Sequence, residues 1–141
     1  SRPDWIIDPE TGKITGYKTP GGADTVFPFS DFSEESLVFI SPQLRGSANQ
    51  GQTMKQEYNI HVEKNRKYLF VYYQSSAQKN ITLTVSKDAI SETLSMNRDT
   101  NVSNISTTLY EATDTGQVTV TVNTKFSSDL SVYYAILLIL G

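Results

Sequence analysis

The chain has 141 residues, enough for one domain that buries a core plus a short appendage. Its net charge of −3 argues against a nucleic-acid partner, and the lack of cysteine excludes disulfides, thiolate metal sites and a cysteine nucleophile. No run approaches the roughly 18 apolar residues of a membrane helix, so we expect no membrane insertion. Hydrophobic (38%) and charged (19%) fractions are both low, and uncharged polar residues take their place.

The first motif, WIIDPETGKITGY (5–17), predicts a short β-hairpin with two apolar runs around a turn. Asp8 caps the turn by accepting from main-chain amides, Pro9 presets the next φ angle, and Gly12 accepts a left-handed one. A calcium loop needs oxygen ligands at alternate positions, and Pro9 and Thr11 break that spacing. The residues therefore favour a structural turn.

The next stretch, GYKTPGGADTVFPF (16–29), combines glycines with a lysine, as phosphate-binding loops do. Lys18 precedes the glycine pair instead of following it, and Pro28 prevents the helix that a phosphate loop requires. We predict a turn at Gly21–Gly22 followed by an extended, buried anchor at a sheet edge. The anchor residues are Val26, Phe27 and Phe29.

Downstream, three runs alternate strictly between apolar and polar residues, which is typical of strands with one buried face. They are QEYNIHVE (56–63), NITLTVS (80–86) and QVTVTVN (117–123). Two further runs, YLFVYY (68–73) and VYYAILLIL (132–140), are apolar on both faces. Such strands need cover on both sides, and either the N-terminal segment or a neighbouring subunit could supply the second cover.

LVFI (37–40) and ISTTLYEA (105–112) add two strands, whereas we expect a polar loop over 43–52 and one or two helical turns over 87–96. The basic run Lys64–Lys67 is interpreted as a solvated hairpin tip. Together these elements predict an all-β antiparallel sandwich or jelly roll of about seven or eight strands. Residues 1–35 would form the N-terminal hairpin and anchor, and residues 36–141 the sandwich.

No constellation of side chains indicates catalysis, a cofactor or a metal ion. His61 is the only histidine, it falls on the polar face of its strand, and the acids are scattered among loops. We therefore expect no enzyme activity and no cofactor. Aromatic residues could stack on a sugar, although most should belong to the core or to a subunit interface: Trp5, Tyr17, Tyr72, Tyr73, Tyr133 and Tyr134. Trp5 and Tyr17, which flank the hairpin, are the candidate ligand-binding residues.

The run TGKITGYKTPGGADTVFPF (11–29) resembles a motif of structural and tail-region proteins in phages and prophages of gut Firmicutes. There, versions of GADTVFPF precede variable β-rich regions. The resemblance implies a non-enzymatic tail- or fibre-type module of a virion, structural or receptor-binding, and it transfers no catalytic residue. By analogy with such proteins, the partners would be further copies in a homo-oligomer, with a trimer favoured, and other virion proteins or a bacterial surface glycan.

The alternative is a secreted carbohydrate-binding or cell-surface adhesion module of a gut bacterium. Either interpretation places the chain on a virion or in the extracellular space.

Overall fold

The computed structural model of the protein describes residues 4–18, 25–26, 36–76, 80–98 and 105–141. These residues form β-strands joined by turns, in chain order β1 (Asp4–Ile7), β2 (Ile14–Lys18), β3 (Thr25–Val26), β4 (Leu37–Ile40), β5 (Leu44–Ala48), β6 (Thr53–Val62), β7 (Lys67–Gln74), β8 (Asn80–Lys87), β9 (Ile90–Leu94), β10 (Asn97–Arg98), β11 (Ile105–Glu111), β12 (Gly116–Lys125) and β13 (Leu130–Leu140). The predicted all-β class is confirmed.

The strands form three antiparallel sheets. The N-terminal sheet has the order β1-β2-β3, and the small sheet has the order β6-β12-β8-β9. The large sheet has the order β10-β11-β7-β13-β4, with β5 also paired to β13. β4 and β5 act as one interrupted edge strand, since β4 pairs with residues 138–140 and β5 with residues 130–135.

The order of the strands is that of a jelly roll. If β4 and β5 count as one strand and the two-residue edge strand β10 is set aside, the domain has two four-stranded sheets, and consecutive strands other than β8 and β9 belong to different sheets. This arrangement joins two antiparallel sheets by connections that repeatedly cross from one to the other. The predicted all-β antiparallel architecture is therefore confirmed, and its strand order is consistent with the jelly-roll-like sandwich that the sequence predicts.

The main core lies between the large and the small sheets because the inward positions of both are apolar. The small sheet contributes the predicted alternating residues, including Leu83, Val85, Val118, Val120 and Val122. The large sheet contributes the even-numbered residues of β7 and the odd-numbered residues of β13: Tyr68, Phe70, Tyr72, Tyr133, Ala135, Leu137 and Ile139.

A second apolar cluster covers the other face of the large sheet. It contains the odd-numbered residues of β7 and the even-numbered residues of β13 that the doubly apolar runs predicted, among them Val71, Tyr73, Ile136 and Leu138. Ile14 of β2 belongs to the same cluster and is 1% exposed. The N-terminal hairpin thus packs on this face and supplies part of its cover.

Two predicted elements are wrong. The segment proposed as a helix, 87–96, is the turn between β8 and β9 followed by β9 itself. Asp88 takes a φ of 55°, which suits a tight hairpin turn and ends any helical path. The segment proposed as a polar loop, 43–52, contains β5, whose pairing to β13 is set by its neighbour and not by its own polar sequence.

The turn chemistry of the N-terminal hairpin is confirmed. The Glu10 amide donates to Asp8 Oδ1 at 2.9 Å, and Gly12 has a φ of 71°. The basic run 64–67 is exposed and contains a turn at Asn65 (φ 67°). It is not a hairpin tip, because β6 before it and β7 after it belong to different sheets.

Candidate functional site

A small cavity opens at one rim of the sandwich, where the β8–β9 turn meets the connection from β11 to β12. Its volume is about 190 Å³. Its apolar wall consists of Val85, Val118 and Tyr110, all of them buried. Its polar wall carries carboxylates from both loops and from β9, and the lining as a whole is Val85, Lys87, Asp88, Ile90, Glu92, Tyr110, Thr113, Asp114 and Val118.

The charge around this rim cavity is predominantly negative. Three carboxylates, those of Asp88, Glu92 and Asp114, share the lining with one amine. That amine, Lys87 Nζ, is directed at the main-chain oxygen of Thr115 at 3.4 Å. Burial raises the pKa of the Tyr110 hydroxyl, and the nearby charges of Glu92 and Asp114 raise it further. The hydroxyl therefore stays protonated and can donate a hydrogen bond.

The size and lining of the rim cavity limit what it can accept. Ligand pockets for drug-sized molecules are usually larger, about 300–1,000 Å³. A space of this size with an aromatic wall, an exposed Ile90 (76% exposed) and carboxylate acceptors suits a single sugar unit or one cationic side chain. Carboxylates accept from sugar hydroxyl groups and from ammonium groups alike.

A shallow polar groove lies at the opposite end of the small sheet, on its outer face. Its volume is about 630 Å³, and its lining is Thr53, Asn80, Ile81, Thr82, Asn123 and Lys125. The face continues along the strands with further hydroxyl and amide side chains. Thr119 Oγ1 donates to Asn59 Oδ1 at 2.8 Å across the β6–β12 pair. Such a surface offers donors and acceptors to a hydroxylated polymer without an aromatic platform.

The two candidate ligand-binding residues of the hairpin lie directly opposite each other on adjacent strands of the N-terminal sheet. Trp5 pairs with Tyr17, and Tyr17 pairs in turn with Thr25 of β3. Val26 of the predicted anchor pairs with Gly16. Phe27 and Phe29 lie outside the described residues, so burial of the anchor stays a prediction.

Three of the other aromatic residues considered for sugar stacking are buried in the protein and are not available to a ligand. Tyr72, Tyr73 and Tyr133 are 1%, 2% and 0% exposed, because β7 and β13 are covered on both faces. Tyr134 is half-buried, with the guanidinium carbon of Arg45 5.6 Å from its ring centroid. These side chains serve packing, as the core interpretation predicted.

The acidic cluster of the rim cavity was not apparent from the sequence. Asp88 and Asp114 are 26 positions apart, and the sequence pattern predicts a helix for the segment that contains Asp88. The signal that could have found it is the strict alternation up to Ser86, which predicts a strand ending at Lys87–Asp88 and a turn after it. His61 is exposed on the polar face of β6, as predicted.

No protein-family model matches this chain, and no curated protein sequence is significantly similar to it. In the part of the chain that the structure describes, no group of three or more histidine or carboxylate side chains could hold a metal ion. No helix among those residues is long and apolar enough to cross a membrane.

Proposed function

We propose that this chain is a non-enzymatic module of a bacteriophage tail or fibre, structural or receptor-binding, that assembles as a homo-oligomer. The jelly-roll order of the strands is the observation that supports it, since this architecture recurs in viral capsid proteins and in lectins. The same fold occurs in proteins of unrelated function, so the resemblance of residues 11–29 to phage tail-region proteins is what favours a virion module over other jelly-roll proteins. The module would lie on the virion.

Receptor contact in this proposal falls on the outer face of the small sheet. The polar groove presents Asn80, Thr82, Asn123 and Lys125 to solvent, and these donors and acceptors suit a glycan of the bacterial surface. The hairpin packs on the outer face of the large sheet, so among the described residues it does not cover the groove.

The first test asks whether the chain is part of a particle. Phage particles purified by density gradient from lysates of the encoding strain should contain peptides of this chain together with other virion proteins, measured by mass spectrometry. Peptides found only in the soluble fraction would contradict the proposal.

The second test asks whether the module binds the host. The purified chain should compete with particles for adsorption to cells, and Asn80→Ala with Asn123→Ala should weaken that competition about tenfold by removing several hydrogen bonds. Gln117→Ala, at the other end of β12, is the matched control and should compete like the unchanged chain. Equal competition by all variants would remove the groove from the proposal.

The second candidate function is a secreted carbohydrate-binding module, which the rim cavity and the Trp5–Tyr17 pair favour. A glycan array should then show binding. Asp114→Ala should abolish it if the sugar occupies the rim cavity, and Trp5→Ala or Tyr17→Ala should abolish it if the sugar lies on the hairpin. Glu111→Ala, an exposed carboxylate that does not line the cavity, is the control. Binding that depends on Asn80 and Asn123 instead supports the virion proposal.

A further inference from the structure

β6 forms one edge of the small sheet. Among the described residues it pairs only with β12, in an unbroken register from Thr53 to Val62. It has ten residues, no proline and no bulge. Natural sheets normally protect such edges by shortening, bulging or covering them, because an open edge accepts another strand. β6 is neither short nor bulged, so it lacks the first two of these protections.

The direction of the main-chain groups on β6 follows from hydrogen bonds at its two ends. The Phe126 amide donates to the carbonyl oxygen of Gln52, so even-numbered residues direct their N–H and C=O groups toward β12. At the other end, the Glu63 amide donates to the Tyr68 hydroxyl, away from β12. Thr53, Lys55, Glu57, Asn59 and His61 therefore present their main-chain groups to the open edge.

We infer that β6 pairs with β6 of a second copy of this chain, antiparallel, about a two-fold axis at Asn59. Asn59 then exchanges main-chain hydrogen bonds with the partner's Asn59, and Glu57 exchanges them with the partner's His61. The small sheets of the two copies join into one continuous sheet. This inference goes beyond the proposed function, which does not specify an interface.

Charge complementarity selects this register. It places Lys55 opposite the partner's Glu63, a pair of opposite charge. Moving the axis to Ile60 would instead set Glu57 against the partner's Glu63, two like charges. Lys55 pairs with Glu57 at 3.3 Å and Arg66 with Glu63 at 3.5 Å within one copy, and all four side chains are exposed. In the dimer these exposed charges would also meet the partner's and select the register, while the main-chain ladder supplies the affinity.

The open side of the sandwich next to β6 supports the same interface. The rings of Phe39 (β4) and Tyr58 contact each other in a tilted arrangement with centroids 5.2 Å apart, and both side chains are only half-buried. Met54, beside Gly46 of β5, is also half-buried. A second copy on the β6 edge would cover these apolar side chains, which adds burial to the ladder.

The first experiment measures mass in solution by light scattering and sedimentation. A dimer is expected, and His61→Pro should weaken it about tenfold or more by removing an edge-facing donor from each copy. Thr53→Pro is the matched control, because position 53 also faces the open edge but lies beyond the paired segment. Circular dichroism should show that both variants remain folded, since neither residue bonds to β12.

The second experiment tests the register by charge reversal. Lys55→Glu and Glu63→Lys should each weaken the dimer at low salt, by repulsion at both symmetric positions. An equimolar mixture of the two variants should form a heterodimer, detected by native mass spectrometry, because every pair is again of opposite charge. The double variant should dimerise like the unchanged chain.

Several results would overturn the inference: a monomer, the trimer that the resemblance implies, a dimer that His61→Pro leaves intact, or charge variants that do not recover on mixing. A monomer would also remove the homo-oligomer from the proposed function, whereas none of these results bears on whether the chain is found in phage particles, which is tested separately.

Discussion

A chain of hydroxyl groups crosses the core of the sandwich. Tyr133 donates to Gln74 Oε1 at 3.1 Å, and its own oxygen lies 2.9 Å from the hydroxyl of Tyr72. Tyr72 lies 3.1 Å from Thr124 Oγ1. With the Tyr133 proton directed to Gln74, Tyr72 donates to Tyr133 and Thr124 donates to Tyr72. These polar groups are buried yet satisfied, which is the condition under which a core tolerates them.

This network predicts alkaline sensitivity. Burial raises the pKa of Tyr72 and of Tyr133 above the ordinary value of 10.0. Above pH 10 the unfolded chain loses these protons while the folded chain keeps them, so the free energy of unfolding falls as pH rises. The slope approaches about 1.4 kcal/mol per pH unit for each tyrosine.

Urea unfolding at pH 9, 10 and 11 measures that slope. Tyr72→Phe and Tyr133→Phe each remove one titrating group and should make it shallower, while Tyr110 remains common to all variants. A slope that neither substitution changes would contradict the assignment. At pH 7 each variant should lose about 1–3 kcal/mol, because a buried partner is left unpaired.

Gln56 is the opposite case. It is 4% exposed, and neither atom of its amide has a hydrogen-bond partner among the described residues. An unpaired buried amide costs about 1–3 kcal/mol, so Gln56→Met, of similar size, should raise the free energy of unfolding by about 1–2 kcal/mol. Gln56→Glu should lower it at pH 7 by burying a charge. Denaturant unfolding measures both, and destabilisation by methionine would indicate that the amide is paired.

At the scale of elements, the N-terminal hairpin packs against the large sheet through some of its residues and leaves others exposed. Ile14 is 1% exposed in the cluster on the outer face of the large sheet, whereas Ile7 of the same hairpin is 53% exposed. The turn between them is fixed locally by the Asp8 cap and by Gly12. Contacts within the turn therefore stabilise the hairpin itself, whereas burial of Ile14 attaches the hairpin to the large sheet.

Ile14→Ala should destabilise the protein by about 2–5 kcal/mol, because it leaves a cavity against Val71 and Leu138. Ile7→Ala is the matched control and should change stability by less than about 0.5 kcal/mol. Urea unfolding measures both variants, and binding of an apolar dye should rise for Ile14→Ala alone as the large sheet is uncovered. Equal effects of the two substitutions would show that docking does not depend on Ile14.

On the scale of the whole molecule, the two sheets differ in whether one or both of their faces are apolar. The small sheet has one apolar and one polar face, so it can meet solvent or a ligand on its outside. The large sheet is apolar on both faces, which requires a cover on its outer side. The hairpin meets part of that requirement. Under our two proposals, a second copy would pair at the β6 edge and a glycan would contact the outer face of the small sheet.

The sequence by itself determined which residues face inward. Alternation in 56–63, 80–86 and 117–123 assigned the small sheet's core positions, and the doubly apolar runs 68–73 and 132–140 assigned both faces of the large sheet. The turn at Asp8–Gly12 was equally readable. These features depend on side-chain period and on local turn chemistry, which neighbouring residues fix without reference to the rest of the chain.

Only the tertiary structure decided which strands pair and which loops meet. β5 has a polar sequence and is a strand because β13 lies beside it. Asp88 and Asp114 share a cavity because two connections end at the same rim. The edge position of β6 is likewise a result of strand order. Pairing partners come from segments far apart in the chain, so the physical cause of these features is long-range contact, which no local pattern encodes.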